Sequence, residues 1–319
     1  MDLGTTPVNL VDCCGAADGV GHSSEVGPGV LRPDGTLVYF SGNSTGQNAV
    51  YDTVTGTWTH SAAMDFPLVP GQTYHYAVAD GPATLLPNGN VLVMASPVQN
   101  GFTFNTPSHF YEFDGTNLTR VADTPNAFSF NSYQGRMLLL PSGEVLFTAY
   151  NQFSAQDVLL YSNGGSPQDA WRPVITGAPS TVTAGNRYTI SGRLFNGFSE
   201  GATYGDDAAM SSNYPLVRIK NLGTSHVVYA RTHDHTSMGV ELVGSLAVVS
   251  TQFDVPASVE AGKSELVVVV NGIPSLPITV NVNVAICHKP GTPAQKTLVI
   301  PDTALAGHLG HGDRRGPCR

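Results

Sequence analysis

The chain has 319 residues and a formal net charge of −9, with 35 Gly, 22 Pro and only 12% charged residues. An acidic balance without runs of Lys or Arg argues against nucleic acid or an anionic membrane surface as a partner. No apolar stretch approaches the roughly 18 residues that span a bilayer. A Gly, Pro, Thr, Val, Ser and Asn-rich composition suits short strands and tight turns, so the expected class is all-β.

The first residues, MDLGTTPVNL, have neither the basic start nor the apolar core of a signal peptide. Adjacent Cys13 and Cys14 follow. They have no ready assignment, because a vicinal disulfide is strained and rare.

Three segments then repeat: GVLRPDGTLVYFSG, ATLLPNGNVLVMAS and MLLLPSGEVLFTAY. Their turn prolines, Pro33, Pro87 and Pro141, keep a spacing of 54 residues (33 to 87, 87 to 141). Pro, then Asp, Asn or Ser, then Gly, is turn chemistry between two apolar runs, which reads as a β-hairpin. The runs are nearly continuous in apolar residues, as expected of strands covered on both faces. A second strand pair is expected after each hairpin, around Tyr51 and Trp58, Tyr111 and Phe113, and Tyr161 and Trp171. Four strands per unit of about fifty residues is the size of a propeller blade, with a sandwich of unrelated hairpins as the alternative. Three blades do not close a ring, so residues 1–174 are expected to belong to a longer propeller or to leave blade edges that self-association or another chain covers.

After Trp171 the pattern shifts to short alternating strands over residues 175–284, the signature of an immunoglobulin-like sandwich without a Cys-Trp-Cys core. Within it, His233 and His235 of YARTHDHTSMG stand two apart at a strand end, so alternation predicts that both point the same way. A metal there competes with hydrogen bonding to groups such as Asp234 and Arg231. Asp206 and Asp207 in YGDD offer too few oxygens for calcium by themselves, and loop anchoring to nearby amides is the plainer expectation.

The tail, residues 285–319, is poor in apolar material. Cys287 and Cys318 bracket it and read as a disulfide, with a reduced metal-thiolate pair as the alternative. A disulfide implies an oxidising, extracellular setting. Between the cysteines lie His288, His308, His311 and Asp313, imidazole and carboxylate chemistry suited to a divalent metal. The other reading is that these histidines cap turns or face solvent.

The strings YGDDAAMSSNYPLVRI, YARTHDHTSMG and LVVVVNGIPS, following the repeats, resemble the C-terminal half of galactose oxidase-like proteins. The resemblance covers roughly residues 20–284. It implies an incomplete kelch-like β-propeller of about three blades, then an early-set immunoglobulin-like β-sandwich, in a secreted protein, here with the small disulfide-closed tail. The tail resembles a module found at the ends of secreted bacterial proteins. Copper-radical oxidases of this family hold copper with a Tyr-His pair just before such a hairpin, a Cys-crosslinked Tyr in an earlier blade, and a His from the sandwich. Tyr133 stands in the first of these positions, but Gln134 follows it where the family has His, and the slots before the earlier hairpins hold Glu25 and Ala79-Asp80. His233 or His235 would supply the last ligand.

Two functions follow as expectations. The first is a secreted, non-catalytic scaffold that binds a polysaccharide or cell surface or assembles with itself, with a metal-binding tail. The second is a copper oxidase of alcohols or aldehydes carried by Tyr133 and His233 or His235.

Overall fold

The structure, a computed structural model, describes residues 4–12, 25–100, 103–151, 156–242 and 244–318. Cys13 and Cys14 lie outside the described residues. Among the described residues the chain is all-β apart from short turns of helix and one nine-residue α-helix in the tail.

Sheet one is an antiparallel meander of β1 (Gly29–Leu31), β2 (Thr36–Tyr39), β3 (Ala49–Asp52) and β4 (Thr57–Thr59). The short strand β5 (Tyr76–Ala77) leads into sheet two, whose meander is β6 (Pro82–Leu85), β7 (Val91–Gln99), β9 (His109–Phe113) and β10 (Leu118–Arg120), with β8 (Thr103–Phe104) pairing the end of β7. Sheet three holds β11 (Gly135–Leu139), β12 (Val145–Tyr150) and β13 (Gln156–Tyr161).

The three sequence hairpins are the first two strands of these sheets, and their turns are alike in detail. In each, the residue before the Pro both donates to and accepts from the turn: Arg32 with Thr36 and Gly35, Leu86 with Asn90 and Gly89, Leu140 with Glu144 and Gly143. Gly35, Gly89 and Gly143 have φ of +87°, +88° and +88°, a conformation that glycine adopts without steric cost. At Gly89 the space is closed as well, since a Cβ there would lie 2.7 Å from the Trp171 ring.

Of the three apolar runs expected to be covered on both faces, only β7 is, because it lies in the middle of the stack; β2 and β12 belong to the outer sheets and have only one fully buried face. Val91, Val93 and Ala95 face sheet one, in a core with Val30, Val38 and Phe40, while Leu92 and Met94 face sheet three, in a core with Met137, Val145 and Phe147. Arg32 ties the first interface together at its turn end. Its guanidinium donates to the carbonyls of Gly89 and Asp114, both at 3.0 Å, and lies 5.6 Å from the Phe113 ring centroid.

The third unit departs from expectation. Its fourth strand does not form: Pro167 and Pro173 bracket the segment and withhold ladder donors, and Asp169–Trp171 makes a 3-10 turn. The chain passes instead to β14 (Val174–Gly177), which pairs in the following module.

That module is a curled two-layer sheet of β14, β15 (Thr181–Thr183) and β16 (Arg187–Arg193), continued after an excursion by β19 (Leu216–Asn221), β20 (Val227–His233), β21 (Val249–Asp254), β22 (Gly262–Val270), β23 (Ile273–Pro274) and β24 (Ile278–His288). The excursion is the hairpin of β17 (Gly201–Tyr204) and β18 (Ala208–Ser211). β20 belongs to both layers, pairing β19 through Val227–Ala230 and β21 through Arg231–His233. Between the layers lie Ile190, Phe195, Val217, Ile219, Phe253, Leu266, Val268 and Val280.

The β17–β18 hairpin leaves its own module and pairs with β6, Ala202 opposite Thr84 and Tyr204 opposite Pro82. It caps the inner edge of sheet two, where unpaired amides would otherwise be a template for aggregation. The far end of β24 runs on into the tail, where residues 284–288 pair with β25 (Lys296–Ile300) and β26 (Arg314–Arg315), and α1 (Asp302–Gly310) packs Leu305 against Val284, Ile286 and Ile300.

Candidate functional site

The tail is closed by the Cys287–Cys318 disulfide, which spans 31 residues. This anchors the penultimate residue of β24, and the next residue, His288, is the strand's last. From α1 comes His308, and just past the helix C-terminus comes Asp313, whose side chain is 1% exposed. The Asp313 amide donates to the His308 carbonyl, which turns the carboxylate back under the helix.

His288 Nδ1 and His308 Nδ1 lie 2.8 Å and 2.7 Å from the same atom, Asp313 Oδ2, while the Lys289 amide donates to Oδ1 at 2.9 Å. The two rings are perpendicular, with centroids 5.7 Å apart. The Asp313 carboxyl is held well below the usual carboxylate range, first by the hydrogen bond from His288, then by the Lys289 amide. Of the four sequence candidates, His288, His308 and Asp313 meet, and His311 does not. Its amide closes the C-terminus of α1 on the Gly307 and His308 carbonyls.

A second cluster was not visible in the sequence. Asp206 and Asp207, exposed in the β17–β18 turn, meet Asp80, from the loop before β6. Gly205 makes the approach: it has φ +51°, donates to the Gly81 carbonyl, and a Cβ there would lie 3.0 Å from Asp80 Oδ1. Burial raises the Asp80 carboxyl above its ordinary value, and Asp207, Asp206 and Asp12 raise it further, against a hydrogen bond with Glu25. The carboxylates facing Asp80 thus include Glu25, which stands in the equivalent slot before the first hairpin.

Because the folded state favours protonated Asp80, its ionisation costs stability at neutral pH, and the cost is relieved as pH falls through the raised value. Asp80→Asn is expected to raise stability at pH 7 by about 0.5 kcal/mol, the usual size of one like-charge contact near a surface, and to leave it unchanged near pH 3, where both proteins are uncharged at this position. Urea unfolding of the two proteins across this range checks it; a destabilised variant at pH 7 would contradict it.

The residues expected to hold copper are not assembled. Tyr133 is the middle residue of the 3-10 turn before β11, where its hydroxyl accepts from Asn131 Nδ2 at 2.6 Å and its carbonyl accepts from the Tyr204 hydroxyl. Gln134 Oε1 is occupied by the Asn131 amide at 3.0 Å. His233 lies on β20 with Nδ1 3.0 Å from Asp234 and Nε2 3.3 Å from Asp254. The expected alternation stops there. Asp234 has φ +52°, which ends the strand, so His235 does not continue the face of Tyr229, Arg231 and His233. His235 packs by Tyr214, which lies with Leu138–Pro141 at the end of β11 opposite to Tyr133. Its Nδ1 is buried without a hydrogen-bond partner among the described residues, and burial lowers its basicity. The donor set does not fit a copper-radical centre.

These features define an all-β protein in which stacked antiparallel sheets lead into a curled two-layer β module and a disulfide-stapled tail. No protein-family model and no curated protein matches the chain. Among solved structures it is similar to the Lin-41 filamin domain, at 15% identity and a TM-score of 0.20 over 35% of this chain and 93% of that one. It is also similar to domains 4–9 of the surface layer protein SbsC, at 12% identity and a TM-score of 0.16 over 72% of this chain. The match spans 36% of that SbsC structure. Scores of this size assign neither a family nor a function.

Proposed function

We propose that the protein is a secreted, non-catalytic scaffold of the extracellular surface that assembles with copies of itself. In this reading the three sheets are blades of an unclosed kelch-like propeller, and the following module is an early-set immunoglobulin-like sandwich of galactose oxidase-like descent. The disulfide supports an oxidising compartment. The separate engagement of Tyr133 and His233 supports a role without copper chemistry.

The observation that carries the proposal is the outer face of sheet three. Cross-strand partners Leu138, Leu146 and Leu160 form one row on it, and Arg136, Thr148 and Val158 the next. Val158 is 70% exposed and Leu160 57%. The opposite face of the same sheet is packed on sheet two, and sheet two on sheet one, so the chain already stacks β faces twice. A second copy offers the same packing a third time. Within β11, β12 and β13 the residues of that face include no acidic side chain, and Glu144 stands at its border, so although the chain carries −9 the strands of the face lack the self-repulsion of their surroundings. Three short strands offer less than the roughly 800 Å² per partner of a standard interface, so the expected association is in the micromolar range.

Sedimentation velocity from about 1 to 100 µM is expected to show a concentration-dependent oligomer. Leu160→Glu is expected to weaken it by at least tenfold, about 1.4 kcal/mol, with unfolding unchanged because the side chain already meets solvent. A chain that remains monomeric across the range would overturn self-assembly.

A further inference from the structure

We propose that the C-terminal module is a binding site for a divalent transition-metal ion of the zinc type, ligated by His288 Nδ1, His308 Nδ1 and Asp313 Oδ2. The site is separate from the sheet-three face and stands whether or not the protein assembles.

The three donor atoms converge on one point. Each of the three side chains offers a ligand atom within 4.8 Å of those of the other two, and both imidazoles use Nδ1 against the same carboxylate oxygen. A carboxylate serving only as a hydrogen-bond acceptor for two histidines has two oxygens to offer. Here Oδ1 is taken by the Lys289 amide, which orients the carboxylate and directs Oδ2 alone at both rings. A backbone donor that fixes a ligating carboxylate is the usual outer support of a metal site. Lys289 itself has φ +50°, so the chain is held in an unfavourable conformation at the point where that amide is delivered.

The geometry has room for the ion. Tetrahedral zinc, with bonds of about 2.0–2.1 Å, separates its ligand atoms by about 3.3 Å. The present Nδ1 to Oδ2 distances of 2.8 Å and 2.7 Å need to open by roughly half an ångström, within the reach of small χ adjustments of two imidazoles that are 23% and 27% exposed. Perpendicular rings bring their Nδ1 atoms in from different directions, as a tetrahedral ion requires and as stacked rings would not. For ligation the protons move to the Nε2 atoms. Three protein ligands leave a fourth position for water or for a group from a partner.

The donor set selects the metal. Two imidazoles and one carboxylate suit zinc and its first-row neighbours, whereas calcium and magnesium require oxygen ligands almost throughout. Thiolate coordination is unavailable to this site, because Cys287 and Cys318 are bonded to each other. The disulfide instead places His288, one residue beyond Cys287, in a frame that exists before the ion arrives.

The test uses the full chain, stripped with chelator and titrated with zinc chloride by calorimetry, with bound metal counted by elemental analysis after gel filtration. One zinc per chain is expected. His308→Gln, at a partly exposed helix position that does not threaten folding, is expected to weaken binding by at least tenfold, and His288→Gln likewise. His311→Ala, three residues from His308 but outside the triad, is expected to bind as the parent does. Failure of the parent to retain zinc would overturn the proposal, as would binding unaffected by His308→Gln or reduced as much by His311→Ala.

Discussion

Replacing Cys287 and Cys318 together with Ser is expected to loosen the tail while the rest of the chain stays folded. The apolar core of this module is only Val284, Ile286, Ile300 and Leu305 with a few flanking contacts, too little to hold some thirty residues against their conformational entropy. Closing a loop of 31 residues contributes roughly 3 to 4 kcal/mol in the chain-entropy account. Amide exchange in β25 and α1 should therefore accelerate by on the order of 100-fold, at about 1.4 kcal/mol per decade, in the double Ser variant. Amides of β19 and β22, in the core of the preceding module, should hardly change, because β24 is anchored there by its own pairing through residues 278–282. Equal protection in the tail before and after substitution would show that packing alone holds it.

Arg32→Ala is expected to cost about 3 kcal/mol, a large fraction of the stability of an ordinary domain. Arg32 is 8% exposed and spans the gap between sheets one and two. It meets Gly89 and Asp114 in two turns of sheet two, and Thr36 and Asp34 in its own turn. Truncation strips these turns of a charged donor and leaves the two carbonyls without their partner, a cost beyond the lost bonds themselves. Burial already lowers the Arg32 pKa against the pull of Asp34 and Asp114, which marks how far the guanidinium is removed from water. Arg32→Lys should recover little, since a single ammonium cannot replace a planar fork that reaches separate acceptors. Urea midpoints of the parent and the two variants measure this; a Lys variant as stable as the parent would mean that charge alone is what the site needs.

The alternative copper reading finds its candidate residues engaged separately in this structure, a matter of geometry more than of residue type. Tyr133 and the histidines are present, but alternation along a strand holds only while the strand lasts, and the positive φ of Asp234 ends β20 at His233, two residues short of His235. The fourth strand expected at Trp171 does not form, because Pro167 and Pro173 flank the segment and cannot donate to a ladder, whatever its aromatic pattern. The tail cluster was legible in residue type but not in membership: nothing in the spacing separates His311 from His308, which differ in which side of α1 and its C-terminal turn they occupy.

What the sequence determined by itself is whatever short-range chemistry decides. Pro-Asx or Pro-Ser before Gly set three equivalent hairpin turns, and two cysteines around an apolar-poor tail marked its staple, whereas apolar runs without alternation marked strands but not their burial, since only β7 of the three is covered on both faces. What only the tertiary structure decided is which distant segments meet. The β17–β18 hairpin reaches over one hundred residues back to pair with β6 and so carries Asp206 and Asp207 to Asp80. His308 and Asp313 reach the end of β24 only when the tail folds back on that strand. Local turns are fixed by the steric and hydrogen-bond preferences of a few neighbouring residues, whereas such meetings depend on summed burial across whole sheets, which no short stretch of sequence encodes.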